Sequence, residues 1–274
     1  MKISFHKYQG TGNDFIIIDN RSGLFPLSGH IVRSLCDRKF GIGADGLILL
    51  NRSESYDFNM AYHNSNGDES TMCGNGGRCI AAFARKIGCK TMSFTFGAID
   101  GVHQAFVITE GEKSSLVRLK MIDVMISEPW HDEMVIDTGS PHVVIPVKNI
   151  HELDILKMGS DIRYSDPFKE KGVNVNFIET CGKKNYIRTY ERGVEDETLA
   201  CGTGSVAGAL ITAALNHVKS PVEVKTRGNE ILTIYFQKNN DLFFSHVYLE
   251  GDTCLVFEGI LGEDIHNQFQ ENVR

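Results

Sequence analysis

Tyr190-Glu191-Arg192-Gly193-Val194-Glu195-Asp196-Glu197-Thr198-Leu199-Ala200-Cys201-Gly202-Thr203-Gly204 has an ungapped counterpart earlier in the chain, Tyr62-His63-Asn64-Ser65-Asn66-Gly67-Asp68-Glu69-Ser70-Thr71-Met72-Cys73-Gly74-Asn75-Gly76. Six of the fifteen aligned positions are identical, each pair 128 residues apart, as 201 is from 73. Average residue usage predicts about one such identity by chance. The chain therefore reads as two copies of one unit, each presenting a Cys followed by a Gly-rich turn.

The same offset organises the sequence outward from these stretches. The first copy opens with a strand pattern at Ile3 to Tyr8, a turn at Gly10-Thr11-Gly12-Asn13-Asp14 and a strand at Phe15 to Asp19. The second has Met134 to Asp137, Thr138-Gly139-Ser140-Pro141-His142 and Val143 to Val147, so Gly12 aligns with Ser140 and Asp14 with His142. A helix capped by Ser28 is predicted over Gly29 to Lys39, with its counterpart over Asn149 to Met158. Strands at Leu47 to Leu50 and Val173 to Ile178 follow, then Asp57 to His63 and Asn185 to Glu191, which run into the Cys stretches. After each Cys the pattern turns helical. Ile80, Phe83, Ala84 and Ile87 share a face that Gly88 can close, whereas Val206 to Leu215 is apolar nearly all round and is expected to be buried on every side.

Further β-patterned runs close each copy: Met92 to Phe96, Gln104 to Ile108 and Leu116 to Met121, against Val222 to Thr226, Ile231 to Phe236 and Leu242 to Leu249. About six strands and two helices per copy, without βαβ alternation, make an α+β fold in which each sheet wraps one helix. Residues from Glu263 onward read as a polar tail.

A net charge of −7 and the lack of a Lys/Arg cluster argue against a nucleic-acid binder. The N-terminus has no apolar h-region and no apolar run is long enough to span a bilayer, so a cytoplasmic protein without a membrane partner is expected. Seven cysteines, an odd number in a long chain, fit reduced thiols better than a disulfide framework. Gly41-Ile42-Gly43-Ala44-Asp45-Gly46 matches the dinucleotide fingerprint by letters. A helix pattern precedes it and a strand follows, the reverse of what that fingerprint needs, so it reads as a structural turn. No Cys-x-x-Cys pair or histidine ligand spacing occurs, and no metal is expected. Cys36, Cys79, Cys89, Cys181 and Cys254 read as small buried hydrophobes.

Cys73 and Cys201 differ from these. Each precedes a predicted helix, among glycines that leave backbone N–H groups open, a setting that favours anions and thiolates. Taken singly, each is equally readable as a turn residue at a helix entry; the repetition favours chemistry. Inversion of a stereocentre needs a base on one face of a carbon and an acid on the other. Matched thiols from matched halves supply both without a cofactor.

These motifs resemble the diaminopimelate epimerase family over nearly the whole chain. The match includes Gly12-Asn13-Asp14-Phe15, Gly41 to Gly46, Met72-Cys73-Gly74-Asn75-Gly76-Gly77-Arg78-Cys79, Pro141-His142, Asn174-Val175-Asn176-Phe177, Glu191-Arg192-Gly193 and Thr198 to Gly204. The resemblance implies a cofactor-independent epimerase acting between LL- and meso-diaminopimelate, in lysine and peptidoglycan-precursor synthesis. It implies two pseudo-symmetric domains, each a curled, mostly antiparallel sheet around a central helix, with the site in the cleft between them. These would be 1–120, joined by about 250–262 through a crossing strand, and 121–249. Cys73 and Cys201 would be the acid/base pair, assisted by His142 and Glu191. Asn13, Asn64, Asn75, Asn174, Glu191 and Arg192 match substrate-binding positions, and N–H groups near Gly74, Asn75, Gly202 and Thr203 would hold the reacting carboxylate. A homodimer is compatible with this reading.

Two features depart from the family pattern. Many members have Gly-Asn-Pro-His where this chain has Gly139-Ser140-Pro141-His142, and a hydroxyl replaces only part of an amide's hydrogen bonding. The segment Gly193 to Thr198 is one residue longer than the commonest form. A proline or hydroxyproline racemase, a broader amino-acid racemase acting for instance on glutamate, and a catalytically silent binding protein of the same fold are the other readings.

Overall fold

The repeat seen in the sequence is a repeat of strand pairings. The computed structural model describes residues 2–126, 134–166, 168–182 and 184–262; the polar tail expected at 263–274 lies outside them. The chain divides into two units, Met1–Leu119 with Asp252–Arg274, and Lys120–Gly251.

In the first unit the order is β1 (Ile3–Gly10), β2 (Asn13–Asp19), α1 (Gly29–Cys36), β3 (Gly46–Asn51), β4 (Phe58–Asn64), β5 (Glu69–Ser70), α2 (Gly74–Lys86), β6 (Ser93–Ala98), β7 (Gly101–Glu110) and β8 (Ser114–Lys120). In the second it is β9 (Val124–Met125), β10 (Met134–Asp137), β11 (Pro141–Pro146), a 3-10 turn (Ile150–Glu152), α3 (Ile155–Arg163), β12 (Asn174–Cys181), β13 (Lys184–Glu191), β14 (Asp196–Thr198), α4 (Gly202–Asn216), β15 (Val222–Lys225) and β16 (Ile231–Lys238). The last strand, β17 (Phe243–Leu261), pairs with β16 up to Glu250 and with β1 from Cys254.

The first unit pairs β1 with β2 antiparallel, β2 with β3 parallel, β3 with β4 and β4 with β5 antiparallel, β4 with β6 parallel, and β6 with β7 antiparallel. The second repeats this series: β10 with β11 antiparallel, β11 with β12 parallel, β12 with β13 and β13 with β14 antiparallel, β13 with β15 parallel, and β15 with β16 antiparallel. The duplicated α+β fold expected from the sequence is the one observed.

Near-continuous apolar runs mark the strands that are covered on both faces. In β2, Ile16 and Ile18 join Leu47 and Leu49 of β3 under Ile31, Val32 and Leu35 of α1. On the opposite face, Phe15 of β2 and Ile48 of β3 approach Gly76 of α2. Side chains alternate along a strand, so adjacent isoleucines serve different helices. The central helices α2 and α4 are buried along most of their length, and Leu215 is the exposed end of the α4 pattern.

The helix boundaries follow local chemistry. Ser28 accepts from the Ile31 N–H at 3.3 Å and caps α1. Gly88, with φ of +96°, ends α2 as the Cys89 N–H returns to the Ala84 carbonyl. The turn Gly41 to Asp45 folds back on the end of α1, where N–H groups of Ile42 and Gly43 bond the Leu35 carbonyl. It leads into β3, so its letters do not make a phosphate loop.

Two expectations are corrected. The helix predicted over Asn149 to Met158 begins later, at Ile155. Asn149 is left-handed at φ +55°, Glu179 accepts from the N–H groups of Asn149 and Ile150, and the true cap is Asp154, which takes the Lys157 N–H at 3.1 Å. The five other cysteines are not uniformly buried. Cys36 and Cys79 are, Cys89 and Cys254 are half-buried, and Cys181 is exposed because it pairs with Lys184 at the tip of the β12–β13 hairpin. Burial pushes the Cys36 thiol up to about 12 and the Cys79 thiol higher still, which leaves both inert at neutral pH.

Candidate active site

Each repeated Cys is the residue that starts a central helix. Cys73 is the N-cap of α2 and Cys201 that of α4, both with extended backbone. The approach is also shared, because a short hairpin precedes each: Tyr62 pairs with Ser70 and Tyr190 with Glu197. The hairpins differ by one residue of register. In the second unit Glu191 pairs with Asp196 across the loop Arg192 to Glu195, where Glu195 is left-handed.

Helix geometry leaves the first N–H groups of α2 and α4 without intrahelical partners. The earliest intrahelical bonds run from Gly77 to the Cys73 carbonyl and from Ser205 to the Cys201 carbonyl. Gly74, Asn75, Gly202 and Thr203 therefore form two helix N-termini suited to an anion.

In the first unit, Asn13 stands behind Cys73. Its Oδ1 lies 3.5 Å from Cys73 Sγ and 3.4 Å from Asn75 Nδ2, and its Nδ2 donates to Asp45 at 2.6 Å. Asp45 belongs to a charged cluster: Arg38 bridges Asp14 and Asp45, and the buried Lys7 pairs with Asp14 at 2.8 Å and with the Gly43 carbonyl. Burial opposes ionisation of Asp14, but hydrogen bonds from Arg38 and Lys7 outweigh it and hold the carboxyl well below the usual range. Arg78, fully buried, donates to Thr11 at 2.6 Å and to Asn75 Oδ1 at 3.1 Å. Asn64 ends β4, where its backbone closes the turn with Gly67 and Asp68.

In the second unit, Cys201 Sγ accepts the Gly204 N–H at 3.3 Å and lies 3.4 Å from Thr203 Oγ1. Thr203 Oγ1 meets Ser140 Oγ at 3.2 Å, and Ser140 Oγ meets His142 Nε2 at 3.1 Å. Asn176 Nδ2 meets the other ring nitrogen, His142 Nδ1, at 2.9 Å. Asn174 donates to Ser140 at 3.2 Å and accepts the Arg192 N–H at 2.9 Å. The Arg192 side chain is exposed and donates to the Lys171 carbonyl, and Glu191 at the end of β13 is half-buried.

The structure thus brings Cys73, Asn13, Gly74 and Asn75 together in one unit. In the other it gathers Cys201, His142, Asn174, Arg192, Gly202 and Thr203. Sequence reasoning missed Asn176, the Thr203 hydroxyl and Asp45. Asn176 carried a signal: it shares a strand face with Asn174 amid Val173, Val175 and Phe177, and a buried amide in such a run requires partners. Asp45 carried none.

His142 is fully buried, and burial, reinforced by the Arg192 charge, pushes its imidazole down to about 3. It is neutral at pH 7. The unfolded chain protonates near pH 6.5 and the folded one near 3, so stability is complete above 6.5 and falls as pH drops toward 3. At the acid end the loss is on the order of 5 kcal/mol. Urea midpoints measured at a series of pH values should decline through this window. A His142→Gln variant should lose about one proton from that dependence; an unchanged slope would show that another group carries it.

The chain matches the family model described as Diaminopimelate epimerase over residues 5–122 and 134–255. It is 45% identical over 260 residues to the diaminopimelate epimerase of Flavobacterium psychrophilum, which covers 93% of this chain and 99% of that relative. It is 47% identical over 262 residues to that of Chlorobaculum tepidum, covering 92% and 98%. Among solved structures it is similar to a phenazine biosynthesis protein of the PhzF family from Bacillus anthracis, at TM-score 0.72 and 16% identity over 96% of this chain and 99% of that one. It is also similar to a hydroxyproline epimerase from Agrobacterium vitis, at TM-score 0.68 and 13% identity over 95% and 91%. At those identities the likeness is one of fold alone. Among the described residues no helix is long and apolar enough to cross a membrane.

Proposed function

The chain belongs to the diaminopimelate epimerase family, and we propose that it interconverts LL- and meso-2,6-diaminopimelate by passing an α proton between Cys73 and Cys201. It is an isomerase of the epimerase class. The observation that carries the mechanism is the equivalence of the two thiols, each the N-cap of a matched central helix in a matched unit. One thiolate removes the proton from one face of the α-carbon, and the other thiol returns a proton to the opposite face. In the reverse direction the roles exchange. The helix N-termini at Gly74, Asn75, Gly202 and Thr203 hold the reacting carboxylate and stabilise the charge that develops on it. No cofactor takes part.

His142 and Glu191 assist the transfers, and Asn13, Asn64, Asn75, Asn174, Glu191 and Arg192 recognise the substrate. The units 1–120 with 250–262, and 121–249, act as the two repeats. The product serves lysine and peptidoglycan-precursor synthesis in the cytoplasm.

Incubation with LL-diaminopimelate in deuterated water, followed by NMR, tests this reading. Deuterium should enter the α position as meso product forms. The rival substrate class is proline, hydroxyproline or another amino acid with one charged end, for which Arg192 and the surrounding asparagines have no second end to bind. Exchange into proline or glutamate with none into diaminopimelate would overturn the assignment.

A further inference from the structure

Where the second unit buries His142 and Asn176 against its central helix, the first unit is apolar. β2 pairs Ile17 with Ile48 as β11 pairs Val144 with Asn176. Ile48 is therefore the counterpart of Asn176, and Phe15, two residues before Ile17, is that of His142. Ile48 and Phe15 approach Gly76 as Asn176 approaches Gly204. The fold thus accepts two hydrophobic side chains at these places. An imidazole and an amide, both fully buried, cost desolvation there, and packing alone does not call for them.

Asn176 has one orientation. The Val143 and Asn174 carbonyls, 3.1 and 3.4 Å from its amide nitrogen, can only accept. A flipped amide would set its oxygen against both. On the other side, the Thr189 hydroxyl donates to Asn176 Oδ1 at 2.9 Å. An amide nitrogen has no lone pair to share, so its 2.9 Å contact with His142 Nδ1 runs one way: Asn176 donates and Nδ1 accepts.

An accepting Nδ1 carries no proton, and the proton of the neutral ring is on Nε2. Ser140 Oγ, 3.1 Å from Nε2, accepts it. Turning the ring over would set carbon atoms against both Asn176 and Ser140. Charging it would bring an Nδ1–H head-on to the Asn176 N–H. Burial and the Arg192 charge also keep it neutral.

We propose that Asn176 is a positioning residue that fixes His142 as the Nε2–H tautomer, so that His142 assists proton transfer as a neutral hydrogen-bond donor and not as a base at Nε2. The proposal rests on the reading of His142 as an assistant to that transfer. One fixed N–H stabilises negative charge that forms within its reach and takes up no proton itself.

Long-range proton–nitrogen NMR of protein containing isotope-labelled histidine, at neutral pH, tests the proposal. The signals of His142 are those lost in His142→Gln. In the wild type, Nδ1 should be pyridine-like and Nε2 pyrrole-like. Ser140→Ala removes the acceptor but not the determinant, and should leave that pattern. In Asn176→Asp the side chain keeps its shape, but a carboxylate can only accept. A proton should move onto Nδ1, whose signal should leave the pyridine-like range. With Nε2 no longer a neutral donor, α-deuterium entry should fall by about 10²-fold or more.

A proton on Nδ1 in the wild type or in Ser140→Ala would overturn the proposal, as would an unchanged Nδ1 in Asn176→Asp. So would exchange at the wild-type rate in an Asn176→Asp protein whose tautomer has moved. Should Asn176→Asp not fold, the wild-type and Ser140→Ala spectra still decide. If Nδ1 carries the proton while deuterium enters diaminopimelate, only this assignment falls. If the tautomer is as expected and no deuterium enters, the tautomer stands and the substrate reading falls.

Discussion

Cys201→Ser should lower the rate of diaminopimelate epimerisation by roughly 10²–10⁴-fold, the usual contribution of a positioned acid or base, and Cys73→Ser should do the same. A serine hydroxyl matches the thiol in shape and hydrogen bonding but does not ionise near neutral pH, so the helix entry persists and the base is lost. At position 201 the replacement still meets the Gly204 N–H and Thr203 Oγ1, and no folding defect is expected. The two variants differ in what survives. Each retains one thiol, so α-deuterium exchange should continue with the stereoisomer that presents its hydrogen to that thiol, while conversion to the other isomer stops. NMR of both purified isomers in deuterated water separates exchange from inversion. Inversion at the wild-type rate in either variant would refute the two-base mechanism.

Gly204→Ala should be the most damaging change that replaces no proposed proton carrier. A Cβ at Gly204 would stand 2.3 Å from Asn176 Oδ1 and 3.2 Å from Cys201 Cβ and Sγ. Asn176 is not free to retreat, because its amide is bound to His142, Val143 and Thr189 at the same time. Overpacking of this kind costs about 1–3 kcal/mol, more than the gain of up to about 1 kcal/mol that Ala brings to a helix interior. Displacement of Asn176 also releases the imidazole it orients, so activity should fall further than stability. Gly208→Ala, one turn along the same helix, is the internal comparison. There the nearest atoms to the new Cβ are the Cδ1 atoms of Ile178 and Ile187, at 2.9 and 3.0 Å, and these are ends of flexible side chains. Urea unfolding of both variants should rank Gly204→Ala as the less stable. The reverse order would mean that the Asn176 network yields more readily than its hydrogen bonds imply.

The strands under α1 and α2 were legible because burial on both faces writes itself as an unbroken apolar run, as in Phe15 to Ile18 and Leu47 to Leu50. The helix after Cys201 was legible for the related reason that it is covered all round. The start of α3 was not. Asn149 to Leu153 carries helix-compatible residues, but Glu179, thirty residues away in the chain, claims the N–H groups of Asn149 and Ile150 and bends the segment into a 3-10 turn. Cys181 ends a strand pattern whose last residues, beyond Ile178, leave the core as a hairpin tip, and periodicity does not mark where a strand leaves the core.

The repeated Cys-Gly-x-Gly stretches, their place at helix entries and the duplicated order of strands were determined by the sequence alone, since each depends on neighbours along the chain. The difference between the two thiols was decided only by the tertiary structure. Asn13 is held beside Cys73 by Asp45, thirty-two residues beyond it, and Asn176 holds His142 from thirty-four residues away. The direction of a hydrogen bond is set by what lies on the far side of each group. Packing, not local pattern, places those groups.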